Sequence, residues 1–244
     1  MKRREFLTLT TSGTMVLSFF PLELFAKNDP ISYDELIGKG TPNLQGNGYK
    51  LRTEVNDAFL SMVKEAKTSG IDIRCVSGYR SFNRQKAIWE RKYRKYRADG
   101  LKPEKAIRKI IEYSTIPGTS RHHWGTDLDL VDGNFIDTPN LLSESNFEKG
   151  KPFHKLKLWL DENAGNYGFY EVYTNDPERK GFKYEPWHFS YKALAVDYLK
   201  QYKKLDVLSI LQSEEVKGSN HFTAAFISEY IEQNILYINP ELLP

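Results

Sequence analysis

The pattern of apolar and polar residues divides the chain into helices and strands. Apolar residues recur at helical spacing over residues 55–66 until Gly70 ends the run, which predicts an amphipathic helix. Ser81 is placed to cap a second helix, and Pro103 is placed to open a third. The complete set of predicted helices covers residues 55–66, 82–98, 103–113, 153–166, 191–202 and 222–236.

Four shorter segments have the pattern of strands. Residues 71–76 have the features of a buried strand, whereas residues 127–131 alternate charged with apolar side chains, as a half-buried strand does. In such a strand Asp127 and Asp129 project from the same face. The remaining strands are predicted over residues 169–173 and 184–189. We therefore predict an α+β fold, in which a small, mainly antiparallel sheet has helices packed on its outer side.

The two ends of the chain differ from the part between them. Paired arginines precede a moderately apolar run over residues 7–20, which is typical of a twin-arginine export signal, here predicted over residues 1–26. Polar residues interrupt the run, so no stable membrane span is expected after cleavage; an uncleaved anchor or an amphipathic helix is the alternative. We predict a main domain over residues 27–195 and a helical C-terminal extension over residues 196–244, as an appendage or an oligomer contact. The oligomeric state stays open.

The composition is that of an ordinary globular protein. Of 244 residues, 40% are hydrophobic, 27% are charged and 14% are aromatic, and the formal net charge is +3. So small a charge implies no general affinity for nucleic acid, and the basic run over residues 91–97 is predicted to be a solvated helix face. Cys75 is the only cysteine, so no intramolecular disulfide can form and a buried, apolar role is predicted.

The candidate chemistry lies in two short stretches that bring histidines beside carboxylates. Residues 119–129 contain a pair of adjacent histidines and two aspartates, and Glu185 precedes His188 by three residues. A catalytic zinc takes three nitrogen or oxygen ligands from the protein and keeps one position for water, and a carboxylate outside the ligand set takes a proton from that water. His122, Asp129 and His188 would complete such a set. Glu185 is then left over as the base.

The order of these motifs resembles a known family. This chain contains Ser120-x-His122-x-x-Gly125-x-x-x-Asp129, followed by Glu185-x-x-His188 and preceded by Ser77-Gly78-Tyr79-Arg80-Ser81. The arrangement resembles the zinc D-alanyl-D-alanine carboxypeptidases of the LAS group, which include vancomycin-resistance D,D-carboxypeptidases and bacterial L,D-carboxypeptidases. The resemblance extends over residues 71–191. One position departs from the family's pattern, because Asp127 stands where an alanine is expected.

The resemblance implies roles for the residues next to the ligands. It assigns the ligand of the histidine pair to His122, which leaves His123 behind the ligands, facing substrate or on the surface. The family has no carboxylate at position 127, but Asp127 shares a strand face with Asp129, so it would hold an imidazole N–H and tune the site, or would lie solvated at the rim. Trp187 would pack under the site. Gly125 allows the sharp path of the chain between the first histidine and the strand.

The resemblance also implies which residues of the site contact the substrate. Arg80 would bind a terminal carboxylate or stabilise the oxyanion of the tetrahedral intermediate, with simple stacking on Tyr79 as the structural alternative. Gln85 and Ser120 match polar positions that touch substrate, and Tyr79 belongs to the same group.

The function that the resemblance implies is an exported zinc peptidase that trims peptidoglycan stem peptides in the periplasm or cell envelope, as a D-alanyl-D-alanine carboxypeptidase. A peptidoglycan endopeptidase and an L,D-carboxypeptidase are alternatives within this class. An alternative of another class is a module that holds zinc and binds cell-wall peptide without cleaving it, which follows if Asp127 disturbs the site. The presence of Glu185 favours catalysis.

Overall fold

The structure is a computed structural model that describes residues 31–244. The predicted export signal over residues 1–26 lies outside the described residues. Helices and short antiparallel strands are mixed along the described chain, which confirms the predicted fold class. None of the helices in residues 31–244 is both long enough and apolar enough to cross a membrane.

Within residues 31–244 there are two sheets, of which the larger has four strands, and every pairing in it is antiparallel. A two-stranded ribbon of β1 (Leu44–Gln45) and β2 (Leu51–Arg52) precedes it in the chain. The four strands of the sheet are β3 (Ile73–Ser77), β4 (Asp127–Asp132), β5 (Phe169–Glu171) and β6 (His188–Tyr191). They lie in the order β3–β4–β6–β5, so β4 and β6 are the inner strands and hydrogen-bond to each other.

Strand β4 is buried along its whole length, so the prediction of a half-buried strand is wrong. Leu128 and Leu130 pack into an apolar core on one face of the sheet. Asp127 and Asp129 alternate with them and project from the opposite face. On that face Arg121 pairs with Asp127 at 3.0 Å, and both side chains are buried.

A β-bulge at Val76 interrupts the pairing of β3 with β4. Cys75 pairs with Leu130, but Ser77, two residues later, pairs with the adjacent Asp129, so Val76 is the extra residue. A bulge bends its strand and re-aims the side chains that follow it. Here the bulge comes directly before the turn that carries the Ser-Gly-Tyr-Arg motif.

Two of the helices begin where the sequence predicts. Ser81 caps one of them by accepting a hydrogen bond from the backbone N–H of Arg84 at 3.3 Å. Pro103 is the first residue of the other. The α-helices of the described chain are α1 (Tyr33–Leu36), α2 (Thr53–Thr68), α3 (Phe82–Ala98), α4 (Pro103–Ile110), α5 (His154–Asn163), α6 (Lys192–Tyr202), α7 (Val207–Ser213) and α8 (Ala224–Tyr230), which continues as a π-helix (Ile231–Leu236). Short 3₁₀ helices cover Arg121–Trp124, Gly133–Phe135, Glu144–Phe147, Ala164–Tyr167, Ser219–His221 and Pro240–Leu242.

The strand predicted over residues 184–189 begins only at His188. Pro186 has no N–H to donate to a ladder, so it does not continue a strand in the middle of a sheet. Residues before the strand form a turn instead, closed by a hydrogen bond from the N–H of His188 to the carbonyl of Glu185 at 3.0 Å. The turn brings the side chains of these two residues together.

The C-terminal helices share an apolar core with the helices before them. Leu199 of α6 and Leu211 of α7 belong to one buried cluster with Trp89 of α3. The indole of Trp89 also donates a hydrogen bond to the carbonyl of Lys217 at 2.9 Å. Helix α6 runs across the predicted boundary at residue 195, and the division of the chain there stays a prediction.

Candidate active site

A cleft of about 1430 Å³ opens along one side of the sheet. One face of α3, the turn after β3 and several loops line it. Many of the residues singled out in the sequence line this cleft, namely Tyr79, Arg80, Ser120, His122, Asp129, Glu185, Trp187 and His188. Three others lie behind its surface, namely Gln85, His123 and Asp127, and all three are fully buried.

The three predicted metal ligands come from three different elements and meet at the cleft. His122 lies on the 3₁₀ helix Arg121–Trp124, Asp129 on β4 and His188 at the start of β6. Asp129 and His188 are partners across the antiparallel ladder, so the register of the sheet sets them side by side. One ligand atom from each of the three residues lies within 4.8 Å of the others. Gly125, which ends the 3₁₀ helix, has a positive φ of 71°, in agreement with the sharp chain path predicted there.

The imidazole of His122 has one nitrogen engaged and one available. Its Nδ1 lies 2.8 Å from the carbonyl oxygen of Gly78, so this nitrogen carries the proton and donates it. Its Nε2 is buried, has no hydrogen-bond partner in the described chain, and lies 3.5 Å from Oδ1 of Asp129. Burial lowers the pKa of His122, and the nearby Arg80 guanidinium lowers it further. A neutral ring with its Nε2 lone pair facing a carboxylate is the arrangement of a metal ligand.

The ring of His188 is held by a carboxylate at each nitrogen. Its Nε2 lies 2.9 Å from Oδ2 of Asp127, and its Nδ1 lies 2.9 Å from Oε2 of Glu185. Burial by itself would lower the pKa of His188, but the hydrogen bonds to these carboxylates raise it to about 9. The ring also stacks on His122, with 4.7 Å between the ring centroids. The two imidazoles are therefore fixed relative to each other.

Asp127 is the centre of what we call the buried network, formed by Arg121, Thr126, Asp127, His188 and Ser190. Its Oδ1 accepts hydrogen bonds from the hydroxyls of Ser190 at 2.6 Å and Thr126 at 2.9 Å. Its Oδ2 accepts from Arg121 Nε at 3.0 Å as well as from His188. Burial would raise the pKa of Asp127, but Arg121 and the His188 hydrogen bond outweigh burial and hold the pKa well below its usual range. Asp127 is thus an ionised, fully hydrogen-bonded carboxylate.

Glu185 lies at the junction of the cleft and the ligand set. Its side chain lines the cleft, and the residue is only 7% exposed. Burial raises the pKa of Glu185, against the opposing hydrogen bond from His188. A raised pKa brings a carboxyl group closer to the working pH of a general acid and base.

Arg80 uses its guanidinium to connect the cleft to the ligand set. Its Nη2 donates to Oδ2 of Asp129 at 3.2 Å, its Nη1 to Oε1 of Gln85 at 3.1 Å, and its Nε to Oγ of Ser77 at 3.1 Å. Every nitrogen of the fork therefore has a partner within the protein. The remaining N–H bonds on Nη1 and Nη2 are the ones that a substrate can use.

Two predicted residues support Arg80 from behind. His123 is fully buried: its Nδ1 lies 2.6 Å from the backbone carbonyl of Arg80, and its Nε2 accepts a hydrogen bond from the N–H of Gly118 at 3.1 Å. Burial lowers the pKa of His123 to about 3, so the ring is neutral. Gln85 holds Arg80 and also donates to the carbonyl of Thr115 at 2.9 Å. His123 and Gln85 thus do not face the cleft.

Sequence reasoning missed two features of this site. It did not single out Arg121, although a carboxylate at position 127 in place of the expected alanine signals that a buried cation is needed nearby. It treated Lys92 as part of a solvated helix face, yet Lys92 lines the cleft. The signal for Lys92 is periodic: Arg84, Ile88 and Lys92 lie four residues apart on α3, so they share one face, and all three line the cleft.

Comparison with known proteins identifies relatives over most of this region. The family model of VanY, D-alanyl-D-alanine carboxypeptidase, matches residues 48–194. A D-alanyl-D-alanine carboxypeptidase of Enterococcus faecium is 30% identical over an alignment of 192 residues, which covers 72% of this chain and 52% of the relative. A D-alanyl-D-alanine carboxypeptidase of Enterococcus faecalis is 27% identical over 146 residues, which are 59% of this chain and 49% of the relative. This chain therefore spans about half the length of these two relatives.

Solved structures share the fold. VanYB in complex with D-alanine-D-alanine has a TM-score of 0.52 and 24% sequence identity, and the match covers 72% of this chain and 92% of that chain. A vancomycin-resistance D,D-pentapeptidase VanY variant from a VanB-type resistance cassette, in complex with Zn(II), has the same TM-score and identity, with 67% of this chain and 85% of that chain covered.

Proposed function

This chain belongs to the VanY family of D-alanyl-D-alanine carboxypeptidases, and from this premise we propose that it is a zinc-dependent carboxypeptidase that removes a terminal D-alanine from peptidoglycan stem peptides. The observation that carries the proposal is the convergence of His122, Asp129 and His188 within 4.8 Å, with the buried Glu185 beside them. The two enterococcal relatives are named for this activity, and D-alanine-D-alanine, the ligand of VanYB, has the chemistry of the end of such a stem.

The three ligand candidates fit zinc. Two imidazoles and one carboxylate are a ligand set of catalytic zinc sites, and the unpartnered Nε2 of His122 is an atom that a metal ion would satisfy. At His188, donation of the Nε2 proton to Asp127 would leave the Nδ1 lone pair for the ion, which would replace the contact of this nitrogen with Glu185. When bound, zinc would polarise the scissile carbonyl and acidify a water molecule.

Glu185 is the residue placed to move protons in this proposal. Its carboxylate is beside the ligand set and open to the cleft, so it can take a proton from the attacking water and return it to the departing amine. Its raised pKa makes the protonated form easier to reach than for an ordinary glutamate.

Arg80 and Asp127 position the ligands in this proposal. Arg80 orients the Asp129 carboxylate and directs its remaining N–H bonds at the developing oxyanion. Asp127 fixes the proton of His188 on Nε2 and prevents the ring from rotating, which is the usual task of a carboxylate behind a metal-bound histidine. The aspartate at position 127 therefore supports the site instead of disturbing it, which argues against the alternative of a non-catalytic binding module.

We place this activity outside the cytoplasm, in the periplasm or cell envelope. The support is the paired arginines and the apolar run near the start of the chain, which are typical of a twin-arginine export signal. Replacing both Arg3 and Arg4 by lysine and fractionating cells should move the protein into the cytoplasmic fraction. A protein found in the envelope fraction of both strains would contradict this export route.

The decisive experiment is turnover of a defined stem peptide that ends in D-Ala-D-Ala, with products identified by mass. We expect release of one D-alanine, loss of activity after treatment with a chelator, and recovery when zinc is added. Cuts inside the peptide would favour an endopeptidase, and cleavage only of a tetrapeptide would favour an L,D-carboxypeptidase. Zinc-dependent binding of the peptide without any turnover would favour the binding module.

A further inference from the structure

A cationic side chain without a carboxylate partner lines the cleft. Lys92 lies two turns after Arg84 on the cleft face of α3. Its Nζ donates to the hydroxyl of Ser114 at 2.5 Å, and within residues 31–244 it forms no ion pair with a carboxylate. Burial lowers the pKa of Lys92, because a partly desolvated ammonium loses hydration, and the negative charge of Glu185 offsets this effect only in part. Such a group gains free energy when an anion binds beside it.

The segment opposite Lys92 presents hydroxyl groups that lack partners. We call residues 114–120 the cleft loop; Ser114, Thr115 and Ser120 in it are all buried and all line the cleft. The hydroxyls of Thr115 and Ser120 have no hydrogen-bond partner in the described chain. The Ser114 hydroxyl accepts from Lys92, so its own hydrogen is free to donate. Buried polar atoms without partners are rare in folded proteins, and here they occur together in one cleft.

Hydrogen bonds from two other parts of the chain hold the cleft loop in place. Gln85 binds the Thr115 carbonyl at 2.9 Å. Tyr230 accepts a hydrogen bond from the N–H of Ile116 at 3.2 Å, and its hydroxyl lies 2.8 Å from that of Thr119. A binding surface held in place in this way loses little entropy when a ligand arrives.

We propose that Lys92, Ser114 and Thr115 form the subsite for the free terminal carboxylate of the substrate, with Ser120 between this subsite and the metal ligands. This assignment rests on the proposed carboxypeptidase function. The ammonium and the hydroxyls supply charge-assisted hydrogen bonds to the two carboxylate oxygens. Arg80, whose three nitrogens are already engaged by the protein, keeps the oxyanion role.

The test is a binding experiment that does not depend on turnover. Zinc-loaded full-length protein carrying Glu185→Gln, the parent here, is titrated with an acetylated peptide ending in D-Ala-D-Ala and with its C-terminal amide. Hydrogen bonds to charged groups predict that the acid binds the parent roughly ten- to a hundredfold more tightly than the amide. Lys92→Met should remove most of this preference by weakening acid binding alone, and Lys92→Arg should restore part of it.

Two further variants complete the test, one as a control for general charge and one as a second probe of the subsite. Lys95→Met removes an exposed lysine of the same helix that does not line the cleft and should leave both Kd values unchanged. Thr115→Val keeps the side-chain shape, removes one hydroxyl, and should weaken acid binding several-fold.

The assignment is overturned by any of three results. One is equal weakening of acid and amide by Lys92→Met, which would mean a structural role for Lys92. Another is an acid preference that survives in Lys92→Met, and the third is a parent that does not prefer the acid. The proposed function fails separately, if the unsubstituted protein binds the acid through Lys92 but never releases D-alanine.

Discussion

The Asp127 carboxylate behind the cleft and the cleft loop on its surface differ in how their oxygen atoms are satisfied, although Nη1 of Arg121 beside the carboxylate also lacks a partner in the described chain. Behind the ligand set, the Asp127 carboxylate accepts four hydrogen bonds, from Arg121, Thr126, His188 and Ser190. In the cleft loop, by contrast, the hydroxyls of Thr115 and Ser120 accept and donate none within the described chain. Both regions are buried, so exposure does not explain the difference.

The contrast separates residues that hold the site from residues that await a ligand. A saturated buried carboxylate is part of the folded framework, because removing any partner leaves a desolvated charge. An unsatisfied buried hydroxyl stabilises nothing until a ligand meets it. Substitutions in the buried network should therefore lower stability and metal affinity, whereas substitutions in the cleft loop should change ligand binding with little change in stability.

The largest effect is expected from the ligand set itself. Replacing His122, Asp129 and His188 together by alanine leaves no protein donor for the ion, so stoichiometric zinc and all turnover should be lost. Elemental analysis of purified protein measures the first and D-alanine release the second. One zinc per chain in a folded triple variant would refute the assignment of these ligands.

Glu185→Gln should separate chemistry from metal binding. The amide cannot act as a base, and general acid–base groups contribute about two to four decades of rate. Zinc content and the unfolding transition should stay close to those of the unsubstituted protein, because Glu185 is proposed as a proton carrier and not as a ligand. Unchanged turnover would remove Glu185 from the mechanism.

Breaking the buried network should affect stability and metal affinity at the same time. Asp127→Ala leaves the Arg121 guanidinium buried and unpaired, which lowers the free energy of unfolding by about 3 to 5 kcal/mol. Loss of the carboxylate behind His188 should also weaken zinc binding by about ten- to a hundredfold. Denaturant unfolding and competitive zinc titration measure the two effects.

The double variant Arg121→Met, Asp127→Ala is the matched control for this prediction. It removes both charges, so most of the lost stability should return, while zinc affinity should stay low. Normal zinc affinity in a folded Asp127→Ala protein would mean that Asp127 only neutralises Arg121.

The smallest effect is expected from the support of the cleft loop. Tyr230→Phe leaves the N–H of Ile116 without its acceptor and should lower the free energy of unfolding by about 1 to 3 kcal/mol. Affinity for the substrate acid should fall a few-fold, because the cleft loop is less fixed. Tyr237→Phe is the control, since its hydroxyl binds the Glu178 carbonyl at an exposed position; equal losses in both variants would argue against a special role for Tyr230.

Local signals in the sequence predicted much of the fold. The Ser81 cap and Pro103 predicted the starts of α3 and α4, because capping depends on residues within one turn. The spacing of the two histidine motifs also anticipated which side chains the sheet brings together, since β4 and β6 carry Asp129 and His188 to paired positions.

Contacts between distant parts of the chain could not be predicted in this way. The alternation over residues 127–131 predicted that the polar face of this strand is exposed to solvent. Arg121 packs against Asp127 on that face, and the alternation within one strand contains no information about such a contact. Lys92 was predicted to be solvated because Glu90 and the small net charge offset the basic run, and its contact with Ser114 of the distant cleft loop leaves no local pattern in the sequence. The division of the chain at residue 195 stays a prediction, and the burial of α6 and α7 together with Trp89 of α3 leaves no local pattern in the sequence.

The hydrogen bonds from Trp89 to Lys217 and from Ile116 to Tyr230 connect residues 128 and 114 positions apart, which has a consequence for synthesis. A chain that leaves the ribosome from its N-terminus exposes the catalytic motifs long before Tyr230 emerges. Contacts between residues so far apart in the sequence form late, because closing a long loop costs conformational entropy, and they slow the folding of the protein. The cleft loop therefore reaches its final shape only after residue 230 has been made, so a nascent chain shorter than this has its metal-binding motifs but no finished cleft.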